Sequence, residues 1–151
     1  MKAYPDTSFL CALYRKQHNT ETALEARSGL AEPLRVTRLL LWEFRQGARF
    51  QAFRFRQDRS KGFALGEATR MIADLEEDLR NGSVTMVDCD MHAVLVHAEL
   101  ISRSRTPSGG HRSFDLLHVA TAIELGAVEF WSFDGNQNGL ARAEGLVTPL
   151  A

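Results

Sequence analysis

The sequence predicts an α/β fold in which short apolar strands alternate with amphipathic helices around a parallel sheet covered on both faces. Three observations lead there. Short β-prone runs are separated by stretches with helical apolar spacing. No repeat, low-complexity tract or linker interrupts the chain, so residues 1–151 are read as a single domain. At 151 residues and 44% hydrophobic content, the chain can bury one ordinary core without disulfides.

The elements follow in order. A short extended start ends at Pro5-Asp6, and Thr7 to Lys16 then places Phe9, Leu10, Leu13 and Tyr14 at helical spacing. Asn19-Thr20 can cap a second helix running to about Gly29, and Leu34 to Thr37 is read as a strand. A long helix or bent helix pair crosses the arginine-rich stretch. Gly66 to Asn81 forms another helix, stopped by Asn81-Gly82. Ser83 to Val87 is a strand, and Asp90 caps a helix carrying Ala93, Val94, Val96, His97, Leu100 and Ile101. Thr106-Pro107-Ser108-Gly109-Gly110 is expected to break regular structure before Ser113 restarts a helix through Ile123 to Gly126. Val128 to Ser132 is a strand, Asp134-Gly135 turns into a short helix, and Leu146 to Thr148 can finish the sheet.

Composition excludes several classes. Cys11 and Cys89 are far apart and form neither a metal-ligand pair nor a disulfide framework, so they are expected to be reduced core residues of a cytoplasmic protein. No window is long and apolar enough to span a bilayer, and the start lacks the features of an export signal. The net charge of -1 gives no overall basic surplus. Between Arg35 and Lys61, however, eight basic residues face only Glu43 and Asp58. On a helix, Arg45, Arg49 and Arg56 share one stripe. That stripe suits a phosphate backbone, an acidic partner protein, or merely solvent.

Four carboxylates sit where the chain leaves or borders predicted elements: Asp6 after the first strand, Glu43 on a helix, Asp115 in a first helical turn, and Asp134 after the strand ending at Ser132. In open parallel sheets, ligands bind beyond the carboxyl ends of the strands. Each aspartate also has an ordinary explanation as a cap, a first-turn charge or a turn residue. Glu43 is harder to explain, because it interrupts the apolar run Leu39 to Phe44, where an unpaired carboxylate is costly. If these groups converge, repulsion decides the chemistry: two like charges about 4 Å apart cost roughly 4 kcal/mol at an effective dielectric of 20. Such a cluster requires cations, and oxygen-only ligands favour Mg²⁺ or Mn²⁺ over Zn²⁺. Paired metals of this kind suit in-line phosphodiester hydrolysis without a side-chain nucleophile.

These residues resemble a known family. Asp6-Thr7-Ser8-Phe9-Leu10 is similar to the opening of PIN domains, and Leu39 to Phe44 around Glu43 resembles their second acidic motif. The most specific match is Asp115 to Ala122, followed by Gly126-Ala127, Ser132-Phe133-Asp134 and Gly145-Leu146. The resemblance spans essentially the whole chain. It implies a PIN-like fold, a central parallel sheet in a three-layer α/β/α arrangement, and Mg²⁺- or Mn²⁺-dependent ribonuclease activity. It also implies that Asp6, Glu43, Asp115 and Asp134 are the catalytic, metal-binding quartet, supported by Ser8 and Ser132. Four positions after Asp134, many members carry another acidic or aromatic residue, whereas this chain has Asn138, which leaves the number of metals open. Small stand-alone PIN domains resemble VapC toxins, which implies a cognate antitoxin whose basic side chain enters the acidic groove. A homodimer is a further family expectation, with the aromatic segment from Trp42 to Phe55 as a candidate face.

Among other residues, Arg45, Arg49 and Arg112 are candidates for substrate phosphate contacts. His118 shares a helix face with Asp115, but packing or an ordinary hydrogen bond explains it better. Asp74, Glu76, Glu77 and Asp78 are expected on a solvated face. The leading reading is an endoribonuclease toxin. The alternatives are a PIN-like RNA- or protein-binding module without catalysis, a nuclease in RNA processing outside a toxin-antitoxin pair, and a phosphotransfer enzyme using Asp6 as nucleophile. The last is disfavoured, because Asp6-Thr7-Ser8 lacks the second aspartate of a haloacid-dehalogenase-like phosphatase.

Overall fold

The computed structural model describes residues 1–151. The chain forms two compact units, one made of Met1–Ser8 with Val87–Ala151 and the other of Phe9–Met86.

In the first unit, β1 (Ala3–Pro5) pairs in parallel with β4 (Glu129–Trp131), in the register Tyr4 to Phe130. All of β1 is buried, as expected for a strand covered on both faces. The Asp6 amide continues the pairing to the Trp131 carbonyl at 2.9 Å, so Asp6 leaves the strand next to the end of β4. The expected final strand is reduced to a bridge between Val147 and Glu129. Around this pair lie α5 (Met91–Gly109), α6 (Ser113–Glu124) and α7 (Gly135–Ala143). Tyr4, Val94, Ile101, Val119, Phe130 and Leu140 form the centre of the core.

The expected break at Thr106 to Gly110 is corrected. Helix α5 runs through Pro107 to Gly109 and ends at Gly110, whose φ of 64° is left-handed. Proline in a last turn costs only one backbone bond. The Gly110 amide still closes that turn on the Thr106 carbonyl at 2.9 Å, making it an ordinary glycine stop.

In the second unit, β2 (Leu34–Val36) pairs in parallel with β3 (Val84–Met86). Its helices are α2 (Thr20–Ser28), α3 (Arg38–Gln57), α4 (Leu65–Asn81) and most of α1 (Thr7–Tyr14). Helix α3 is one continuous helix across the arginine-rich stretch, capped by Thr37, whose side chain accepts from the Leu40 amide at 3.2 Å. Ala48 and Ala52 of α3 meet Ala68 of α4, with Phe63 and Ile72 filling the edges. Asn19 precedes α2 without making the expected side-chain cap bond.

The acidic face of α4 is solvated at Asp74 and Glu77, as expected, and half-buried at Glu76 and Asp78. Glu76 pairs with Arg45 at 3.0 Å, Glu77 pairs with Arg80 at 2.6 Å, and Asp78 accepts from the Tyr14 hydroxyl at 2.8 Å. Burial, reinforced by Asp78, pushes the Tyr14 phenol well above its ordinary range. Cys11 and Cys89 are free thiols, half-buried rather than in the core. No helix is long and apolar enough to cross a membrane.

Candidate functional site

Parallel pairing of β1 with β4 brings two chain exits together, Asp6 after one strand and Ser132 to Asp134 after the other. Asp6 is fully buried (0% exposed), which an unpaired carboxylate would not tolerate. The serines that follow each strand supply its partners. Ser8 Oγ donates to Asp6 Oδ1 at 2.7 Å, and Ser132 Oγ donates to Oδ2 at 2.6 Å. Each serine has one proton to give, and each accepts a backbone amide in return. Ser8 takes the Phe133 amide at 2.8 Å, and Ser132 takes that of Asp134 at 2.9 Å. The local sequence thus couples the Asp6 carboxylate directly to the backbone that carries Asp134.

Asp134 is the N-cap of α7, its Oδ1 accepting from the Asn136 amide at 2.8 Å and the Gln137 amide at 3.1 Å. The ordinary capping role is therefore real, and it also fixes the carboxylate at the rim. Asp115 lies in the first turn of α6 and is 7% exposed. Arg112 Nε donates to its Oδ2 at 3.2 Å, and Gln137 Nε2 donates to its Oδ1 at 3.1 Å. The same Arg112 guanidinium reaches to 4.0 Å from Asp134 Oδ2. Asp6, Asp115 and Asp134 thus belong to one hydrogen-bonded assembly within the first unit, with Ser8 and Ser132 inside it and Arg112 across its mouth.

One turn along α6, His118 is fully buried, and its Nδ1 lies 2.9 Å from the Tyr4 hydroxyl. The satisfied-histidine expectation holds. This contact ties α6 to β1 two residues before Asp6.

The remaining candidates belong to the second unit. Glu43 is half-buried on α3, between exposed Trp42 and buried Phe44. Arg45 is held by Glu76, and exposed Arg49 shares with it an open groove of about 850 Å³, lined also by Arg38, Trp42 and Met86. Of the aromatic segment, Trp42, Phe50 and Phe53 are exposed, whereas Phe44 is core.

Sequence reasoning passed over Gln137. The available signal was its spacing, because Asp134-x-x-Gln137 is that of a capping box, in which the third residue's amide normally reaches back to the cap N–H. Ser132 already accepts that N–H, and Gln137 instead turns to Asp115.

The donor set suits a hard divalent cation: three carboxylates, buried amide oxygens on Gln137 and Asn138 that accept no hydrogen bond, and a guanidinium already in the position of a cation. No three acidic, histidine or cysteine side chains close tightly enough to hold one ion in the present arrangement. Arg112 provides the positive charge between Asp115 and Asp134.

A parallel α/β chain in which Asp6 and Asp134 follow two paired strands, and Asp115 joins them from the start of a helix, defines a class of α/β domains with an acidic cluster. Within that class the chain belongs to the PIN domain family, whose model matches residues 3–143. Its fold is similar to that of VapC20 from Mycobacterium tuberculosis, a sarcin-ricin loop cleaving toxin, with 18% identity, 97% of each chain covered and a TM-score of 0.64. It is also similar to VapBC-1 from nontypeable Haemophilus influenzae, with 16% identity, 98% of this chain and 96% of that one covered, and a TM-score of 0.64. No curated protein matches the sequence.

Proposed function

We propose that the protein is a Mg²⁺- or Mn²⁺-dependent endoribonuclease and the toxin component of a toxin-antitoxin pair. The observation that carries this reading is the linkage of Asp6, Asp115 and Asp134 through Ser8, Ser132, Gln137 and Arg112 in a chain of the PIN family. When bound, the cation supplies Lewis-acid polarisation of a phosphodiester and activation of water for in-line attack. The three aspartates would hold it, drawing closer than they stand, and the two serines fix Asp6 against rotation. Glu43 is assigned to the same chemistry by its motif alone. Hydrolysis forms one bond from water oxygen to phosphorus, breaks the bond to the leaving ribose oxygen, and returns a proton to that oxygen. Arg112 is assigned to pair with a substrate phosphate once it releases the carboxylates, and its 76% exposure supports that role. Arg45 and Arg49 are proposed as separate phosphate contacts on α3 of the second unit. The likeness in fold to a sarcin-ricin loop cleaving toxin supports RNA as the substrate class, and the antitoxin partner rests on the likeness to VapBC-1.

A binding module without catalysis is the second reading, favoured by the fact that internal donors already engage every one of the three aspartates. Incubation of the purified protein with RNA and Mn²⁺ separates the two. The nuclease reading expects cleavage that chelator abolishes and that Asp6→Asn reduces by at least about a hundredfold while the variant stays folded. Full cleavage by Asp6→Asn, or in chelator, contradicts it.

A further inference from the structure

Gln137 is 7% exposed and meets the acidic cluster through two hydrogen bonds, which leave its side-chain oxygen unpaired. Its backbone amide donates to Asp134 Oδ1 at 3.1 Å, its Nε2 donates to Asp115 Oδ1 at 3.1 Å, and its Oε1 is buried with no hydrogen-bond donor. The orientation of the amide follows from chemistry: turning it over would set its oxygen against the Asp115 carboxylate, oxygen facing oxygen. Oxygen and nitrogen of one carboxamide are about 2.2 Å apart, so Oε1 lies within roughly 5.5 Å of Asp115 Oδ1. A buried acceptor left unpaired is costly, and an ion or an ordered water is among the partners that satisfy one in native proteins.

We propose that Gln137 is a neutral oxygen ligand of the divalent cation, its Oε1 entering the coordination sphere while its Nε2 holds Asp115 in place. The inference rests on the metal-dependent reading above and assigns a ligand that the acidic motifs do not contain. It follows from the unusual use of the capping-box position: because Ser132 caps the Asp134 amide, the Gln137 side chain is released toward Asp115. A neutral ligand also adds an oxygen without adding repulsion to three clustered carboxylates.

Mn²⁺ titration calorimetry on the full chain, comparing wild type, Gln137→Leu and Gln137→Glu, tests it, with the thermal midpoint of each metal-free variant as a fold control. Gln137→Leu removes the oxygen and is expected to raise the Mn²⁺ Kd by tenfold or more. Gln137→Glu keeps an oxygen and is expected to bind at least as tightly as wild type, and it decides the matter if the leucine variant unfolds. An unchanged Kd in Gln137→Leu, or a loss in Gln137→Glu as large as in Gln137→Leu, overturns the assignment. The second result would make the Nε2 donor the working group. Failure of wild type itself to take up Mn²⁺ would instead remove the nuclease reading.

Discussion

Asp6 shows how a carboxylate proposed for chemistry is accommodated in the interior. Its complete burial is tolerated because Ser8 and Ser132 each aim a hydroxyl at one of its oxygens. The sequence placed those serines two positions after Asp6 and two before Asp134, and that much was legible as a motif. What could not be read was which partner each carboxylate would choose. Arg112 illustrates the gap, since its guanidinium pairs with Asp115 and reaches to 4.0 Å from Asp134, partners that no spacing announced. Before a cation can use the same oxygens, this arginine must leave them. Arg112→Gln should therefore tighten Mn²⁺ binding, by up to about fivefold given the 0.2–1 kcal/mol typical of exposed pairs, and at the same time raise the KM for RNA. Calorimetry and steady-state cleavage read these opposite effects, and weaker Mn²⁺ binding in the variant would refute the bridging role.

At the level of elements, most helices and strands could be read from apolar spacing, because each long helix buries a regular face. Helix α3 is the clearest case, with Leu40, Leu41, Phe44, Ala48 and Ala52 inward and its arginines largely outward. Its start depends on Thr37, which is buried and caps the Leu40 amide. Thr37→Ala should lower unfolding free energy by about 1 kcal/mol, a fall of roughly 2–4 °C in Tm for a chain of this size. Thermal unfolding measures it, and an unchanged midpoint would show that the cap carries no weight. The end of α5 was misread for a local reason. Pro107 and two glycines resemble a loop, but proline in a last turn gives up one bond and Gly110 supplies the left-handed stop. The last strand was overread from Leu146 to Thr148, where only Val147 makes a bridge.

At the scale of the whole molecule, the family match covers residues 3–143 and so takes in residues of both units. The composition gave little guide to function, because the net charge of -1 hides the basic stretch on α3 and the acidic cluster alike. Legibility came from the order of Asp6, Asp115 and Asp134 along the chain; Asp6 and Asp134 meet through the parallel pairing of β1 with β4, and Asp115 joins them through Gln137, long-range contacts that local spacing does not encode. That pairing has its own pH sensitivity. Burial opposes the charge of Glu129 beside β1, yet Lys2 at 2.8 Å and Trp131 Nε1 at 2.8 Å outweigh it and hold the carboxyl below its usual value. A carboxyl depressed on folding adds stability above its unfolded pKa of about 4.3 and loses it as pH falls through the folded value. Glu129→Gln should therefore lose less stability than wild type on acidification below that point. Urea unfolding at neutral and acidic pH checks this, and parallel losses in both proteins would contradict it.

In the proposed function, aspartates from separate stretches of sequence form one cation site. Mn²⁺ titration of wild type beside Asp115→Asn tests it most directly. Saturable uptake by wild type that is lost in the folded variant is the predicted result, whereas no uptake by wild type, or equal uptake by both, would contradict it.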